Sequence, residues 1–252
     1  MSIISNNTVC DLIKEVSKAV AFNEEDHLYH LEKNKKELAS VSSILDRYAP
    51  SFDRISTASH VARRDGIGMQ EVLESWRIRR DFSAVKGSEF HLYASVFLTE
   101  NRRIALQTPI KSYVQAFHKF WNDHSELFKI VATEFCVYDE ENRLAGTVDC
   151  LAQRIDTGEY VIFDWKTNKN IKKKNNFHQY FKAPLDHLDH CEYNRFSLQL
   201  SLYRFLIKSC LKLPVKKGFF VHFGENREYD LCDAVPFEKE VKEILKLHQK
   251  TI

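Results

Sequence analysis

The sequence predicts a mixed α/β protein, with a central mixed sheet that contains an antiparallel meander, flanking helices, and a mainly helical N-terminal portion. Three observations carry this reading. Helical periodicity dominates the first half, polar turns divide the middle into three strands, and a buried helix, two short apolar runs and a closing amphipathic stretch follow. At 252 residues, 44% hydrophobic and 29% charged, the chain can bury a sizeable core and is too apolar to stay disordered. No repeat, low-complexity tract or Pro/Ser/Gly linker divides it, so residues 1–84 and 85–252 read as two portions of one compact unit.

The elements follow from local signals. Ser42 and Ser43 open a short helix that stops before Pro50, and Ile55 to Arg64 forms another, ended by Asp65-Gly66. In Met69 to Arg80 the apolar residues Met69, Val72, Leu73 and Trp76 share one helical face. Gly87 precedes a further helix carrying His91, Ala94, Val96 and Leu98, and Ile110 to Phe128 is a longer, aromatic-rich one. Ile130 to Tyr138, Leu144 to Ile155 and Glu159 to Thr167 are strands, joined by the polar turns Asp139 to Asn142 and Asp156 to Gly158. A lysine-rich loop leads to Tyr193 to Leu213, apolar on nearly every side and so a buried helix. Gly218 to Phe223 and Glu228 to Ala234 are strands, and Pro236 starts a helix with Phe237, Val241, Ile244 and Leu245 on one side.

Composition narrows the function classes. A net charge of +2 neither demands nor excludes a nucleic-acid partner, so local clustering decides. Apolar runs such as Tyr160 to Phe163 fall far short of the roughly 18 residues that span a bilayer. Asp11 and Glu15 interrupt the apolar residues near the start, which fits neither a secretory signal nor a transit peptide; the expectation is a cytoplasmic protein with no membrane partner. The six cysteines form no C-x-x-C pair and read as buried free thiols.

The chemistry concentrates in the meander. Asp164 and Lys166 are two apart on a strand and share a face, while Phe163 and Trp165 point the other way. If the turn at Asp156 to Gly158 pairs its strands directly, residue numbers summing to about 314 lie opposite, which brings Asp149 near Trp165. Glu134 precedes Asp149 by the same interval as Asp149 precedes Asp164, and so reaches the same neighbourhood. Carboxylates in apolar strands need compensating charge. A hard divalent cation provides it, and oxygen ligands suit Mg²⁺ or Mn²⁺, with the adjacent ammonium placed to orient an attacking water.

The full set resembles the PD-(D/E)xK nuclease superfamily, in particular the branch of exonucleases related to the nuclease domain of RecB. Four segments in order carry the resemblance: Gly87-Ser88-Glu89-Phe90-His91 as G-x-x-x-H, Glu134 ahead of Gly146-Thr147-Val148-Asp149, Asp164-Trp165-Lys166-Thr167 as D-x-K-T, and Gln199 to Tyr203 as Q-x-x-x-Y. It implies a restriction-endonuclease-like core over 85–252. It also implies a metal bound by His91, Asp149, Asp164 and the Trp165 carbonyl, with Lys166 as the catalytic lysine and Glu134 as ligand or water-positioning group. Gln199 and Tyr203 would border the site or touch substrate. The implied activity is Mg²⁺-dependent hydrolysis of DNA, with Mn²⁺ able to substitute, by an exonuclease of DNA repair or recombination favouring single strands or ends. An RNA-directed nuclease and a silent nucleic-acid-binding subunit are the alternatives. Only Cys210 and Cys232 follow Tyr203, too few for the iron–sulfur cluster of some relatives. No phosphate-binding loop of the ATPase type occurs, so a helicase or another replication or recombination protein acting with it would be a separate chain. Lys169, Lys172, Lys173 and Lys174 follow the D-x-K strand and are placed for phosphate contact, with Phe177, Tyr180 and Phe181 as candidate stacking rings.

Overall fold

One mixed sheet of eight strands forms the centre of the computed structural model, which describes residues 6–23 and 28–250. Helix α1 (Asn6–Lys18) leads into β1 (Val20–Asn23), β2 (Leu28–Leu31) and β3 (Glu37–Ser40). Helices α2 (Val41–Arg47), α3 (Arg54–Asp65), α4 (Met69–Glu100) and α5 (Lys111–His124) follow. The meander is β4 (Phe128–Asp139), β5 (Leu144–Arg154) and β6 (Tyr160–Lys166), after which come α6 (Glu192–Leu211), β7 (Val215–Phe223), β8 (Tyr229–Asp233) and α7 (Glu238–Gln249). The mixed α/β architecture is therefore the one the sequence predicts.

Side-chain chemistry accounts for the helix ends. Ser40 Oγ accepts the Ser43 N–H at 3.0 Å to start α2, and Asp53 Oδ1 accepts the Ser56 N–H at 2.9 Å to start α3. Gly66 closes α3 at φ 68°, a left-handed conformation that glycine adopts without strain.

The strand order is β1-β2-β3-β5-β6-β7-β8, with β4 attached to β5. The β3–β5 and β6–β7 pairs are parallel. β4 takes one edge of β5 along its length, and the other edge is shared. Leu144 and Ala145 pair with β3 there, and Cys150 to Gln153 with β6. Among the described residues, the stretch Gly146 to Asp149 has no strand on that edge, which opens a gap in the sheet at the G-x-x-D segment.

Each face of the sheet has its own core. Helices α1, α2, α6 and α7 cover one face, with Ile44, Val148, Leu202 and Ile244 among the buried side chains. Helices α4 and α5 cover the other through Phe90, Phe117, Phe120, Phe163 and Trp165. The first half of α4 instead packs on α3 around Ala58, Ala62 and Val72.

Two features differ from the sequence expectation. Residues before Val41 contribute three strands of four residues each, which the sequence reading did not anticipate because they are too short to show a period. The two helices expected on either side of Gly87 are one helix of 32 residues. A glycine weakens a helix by about 1 kcal/mol relative to alanine without ending it, and a Cβ at Gly87 would meet nothing within 4 Å. The boundary between residues 84 and 85 lies inside α4. No helix among the described residues is long and apolar enough to cross a membrane.

Candidate active site

Strands β5 and β6 pair only as far as Cys150 and Phe163, and beyond that point β6 continues beside β7. Their register is one residue from the predicted offset, so its continuation sets Asp149 level with Asp164 rather than Trp165. Asp149 Oδ2 spans the fork by accepting the Trp165 N–H at 2.7 Å. Phe163 and Trp165 turn into the aromatic core beneath α4 and α5, which leaves Asp164 and Lys166 on the α6 side, as strand alternation requires.

The alternation fails in β4 and β5 at facing positions. Thr133 pairs with Cys150 and Phe135 with Val148, which brackets Glu134 and Asp149 as opposites. Val148 and Leu151 enter the core under α6 while Cys150 enters the core under α4, although residues two apart in a regular strand share a face. Glu134 has φ 46°, the left-handed region that costs a residue with a Cβ roughly 1–2 kcal/mol. The kinks bring both carboxylates to α4. His91 Nδ1 lies 3.3 Å from Glu134 Oε1 and 3.5 Å from Asp149 Oδ2. Glu134→Gly is therefore expected to melt higher than Glu134→Ala, by about 1 kcal/mol of stability; equal midpoints would show that this turn stores no strain.

One ligand atom each from His91, Glu134 and Asp149 lie within 4.8 Å of one another, close enough to share an ion. The other ring nitrogen, His91 Nε2, sits 3.2 Å from the Trp165 carbonyl. Asp164 stands just outside this trio. Its Oδ2 is 2.5 Å from Lys166 Nζ, yet the contact is poorly directed, and this buried oxygen has no well-formed hydrogen bond.

The electrostatics follow from this crowding. Burial raises the Asp164 carboxyl to about 6; Lys166 offsets part of the rise and Asp149 adds to it. Burial also raises Asp149, against the pull of His91. For His91 burial works downward, but Asp149 and then Glu134 outweigh it and lift the imidazole to about 9. Anionic oxygens gathered around one positive charge, with a further buried oxygen lacking a proper donor, form a set that fits a hard divalent cation.

Helix α6 secures the lysine. Lys166 Nζ donates to Gln199 Oε1 at 3.3 Å and lies 4.3 Å from the centre of the Phe196 ring. Gln199 Nε2 donates to the Tyr203 hydroxyl at 3.1 Å, so both ends of the amide are engaged. Tyr203 lies on Gly146 so closely that a Cβ there would sit 2.6 Å from Tyr203 Cε1 and 3.2 Å from Val41 Cγ2. The glycine of G-x-x-D is thus needed by the tyrosine of Q-x-x-x-Y. Gly146→Ala is expected to destabilise the protein by about 1–3 kcal/mol, and adding Tyr203→Leu should recover part of that loss. Strictly additive losses in denaturant melts would contradict the coupling.

Lys172 and Lys174 line a cavity at the start of α6, Lys173 lies 5.6 Å from the centre of the Tyr193 ring, and Lys169 is exposed. Phe181 is a core residue at 2% exposure, which removes it as a stacking ring, whereas Phe177 is 78% exposed and Tyr180 48%.

Sequence reading missed the groups that anchor the end of β6. Lys86 Nζ donates to the Thr167 carbonyl at 2.9 Å and to the Tyr113 hydroxyl at 3.1 Å, and that hydroxyl donates to Glu225 Oε1 at 2.8 Å. His222 Nε2 lies 2.6 Å from the Asn168 carbonyl. A lone lysine beside G-x-x-x-H carries no signal for this, since its partners are far away in the chain.

A cleft of about 410 Å³, lined by Gly87, Ser88, His91, Leu92 and Glu134, leads to the cluster from the α4 side. No curated protein matches the chain. The family model of the PD-(D/E)XK nuclease superfamily matches residues 78–247, a span that runs from α4 to α7 and includes the fork, His91 and the α6 face. With more than half of its length matched, the chain belongs to the PD-(D/E)XK nuclease superfamily.

Proposed function

We propose that this protein is a metal-dependent deoxyribonuclease, an exonuclease of the RecB-like branch that favours single strands or ends. The observation that carries it is the fork between β5 and β6, where His91, Glu134 and Asp149 gather beside the Asp164–Lys166 pair and a buried Asp164 oxygen lacks a well-formed hydrogen bond. The four sequence segments shared with RecB-like exonucleases support DNA as substrate, and the open cleft and exposed Phe177 support unpaired strands. An RNA-directed nuclease of the same chemistry is the second reading.

Asp149, Asp164, the Trp165 carbonyl and His91 would hold a divalent cation, which supplies Lewis acidity at the scissile phosphate when bound. The remaining roles belong to side chains. Glu134, partly exposed to the cleft, accepts a hydrogen bond from the attacking water and aims it. The Lys166 ammonium, held by Gln199, faces the negative charge that builds on the phosphate oxygens in the transition state. Tyr203 fixes Gln199, and so acts on the lysine at one remove.

End-labelled single- and double-stranded DNA and RNA, incubated with Mg²⁺, Mn²⁺ or EDTA, test this reading. Cleavage of DNA that EDTA abolishes and Mn²⁺ restores is expected, faster on single strands or from ends. Undiminished cleavage in excess EDTA would remove the metal-nuclease mechanism, and cleavage of RNA alone would transfer it to the second reading.

A further inference from the structure

At the N-terminal end of α6 a second cavity of about 250 Å³ is lined by Lys172, Lys174 and Arg195, with Glu192 as its one carboxylate and Phe177 also in its lining. Among the described residues, neither Lys172 nor Lys174 has an ion-pair partner, whereas Arg195 Nη2 pairs with Asp46 Oδ1 at 2.9 Å. The ring of Phe177 is 78% exposed and so is open to an incoming base. The loop that carries it is not loose. Asn175 donates through Nδ2 to the His190 carbonyl at 2.7 Å and accepts the Phe177 N–H through Oδ1 at 2.8 Å, which holds the backbone of Phe177 beside the cavity.

The cavity is close to the chemistry. Arg195 is followed by Phe196, which touches Lys166, and lies one helical turn before Gln199, about 6 Å along the axis.

We propose that this cavity is a second nucleotide subsite, in which Lys172 and Lys174 hold a phosphate and Phe177 stacks on an unpaired base next to the scissile position. Stacking on Phe177 needs a base free of its partner, so the subsite gives the enzyme its preference for single strands. The inference rests on the nuclease reading and adds to it a position that senses strandedness.

Fluorescence anisotropy of labelled short DNA and RNA strands, with Ca²⁺ in place of Mg²⁺ and at several salt concentrations, tests it. Phe177→Ala is expected to weaken single-strand binding roughly five- to a hundredfold, the range for loss of one base stack, with no change in binding of a duplex or an abasic strand. The melting midpoint should not move, because the ring is exposed. Lys172→Gln with Lys174→Gln should weaken intact and abasic strands alike and lower the salt slope by about 0.7, the value for one phosphate on a single strand. Wild-type affinity of Phe177→Ala for the single strand, or an equal loss on the abasic strand, would overturn the subsite. The DNA and RNA arms identify the sugar. If this binding pattern appears without metal-dependent cleavage by the wild type, the nuclease reading fails and the subsite stands; if cleavage is metal-dependent but Phe177→Ala binds normally, only the subsite fails.

Discussion

Asp164→Asn is expected to abolish cleavage, by at least about a thousandfold, while making the metal-free protein more stable. The activity falls because a neutral amide neither binds a hard cation well nor balances Lys166. Stability rises because the native site holds this carboxyl at about 6, above its ordinary 3.8. A group whose native pKa is raised binds its proton more tightly folded than unfolded, so its ionisation opposes folding as pH increases. The penalty is absent below about 4, grows between 4 and 6, and is complete above 6, where it reaches roughly 3 kcal/mol. At pH 7 the variant should therefore melt several degrees higher than the wild type, and near pH 4 the two should coincide. His91 adds to the same trend. Its native value of about 9 gives stability that is full below 6.5 and lost as pH rises through 9. Melting curves of metal-free wild type and variant from pH 4 to 9 check this; a variant less stable at pH 7 would mean that the Lys166 ion pair outweighs the burial of its carboxylate.

Lys166→Ala is expected to lower turnover roughly a hundred- to thousandfold and to leave substrate affinity in Ca²⁺ nearly unchanged. The ammonium faces charge that develops in the transition state, so its loss appears in kcat and little in KM. A second effect separates it from a simple packing defect. Lys166 pulls the Asp164 carboxyl down, so its removal lets that carboxyl rise further, and the acid limb of the pH–rate profile should move to higher pH. Gln199→Ala, which frees the lysine without removing it, should reduce kcat less and shift the profile less. Unchanged turnover in Lys166→Ala, or a loss carried entirely by KM, would contradict the assigned role.

The parts of the site that sequence reading reached are those with short-range signatures. The meander was legible because two polar turns interrupt three apolar runs, and alternation then placed Asp164 with Lys166 and away from Trp165. Helix α6 was legible because it is buried on most sides. The fork was not, because it depends on where β3 stops pairing with β5 and β6 begins, and β3 is only four residues long. Nor does sequence alone show that Glu134 is left-handed, since glutamate rarely adopts that conformation and the strain is sustained by the surrounding packing. The three consecutive lysines were legible as a basic run, but not that Lys172 and Lys174 line one cavity while Lys173 lies over the Tyr193 ring, since the start of α6 comes later in the chain. Gly87 looked like a helix boundary because glycine is scarce in this chain, yet nothing in its surroundings requires one.

Mn²⁺ titration followed by electron paramagnetic resonance tests most directly the claim that the fork is a metal centre. The wild type is expected to take up Mn²⁺ with loss of the free-ion signal, to be displaced by Mg²⁺, and to release protons on binding, because His91 carries one in the metal-free state at neutral pH. Asp149→Ala should show the free-ion signal at every concentration that saturates the wild type. Equal Mn²⁺ uptake by Asp149→Ala and wild type, with no proton release from either, would contradict the account.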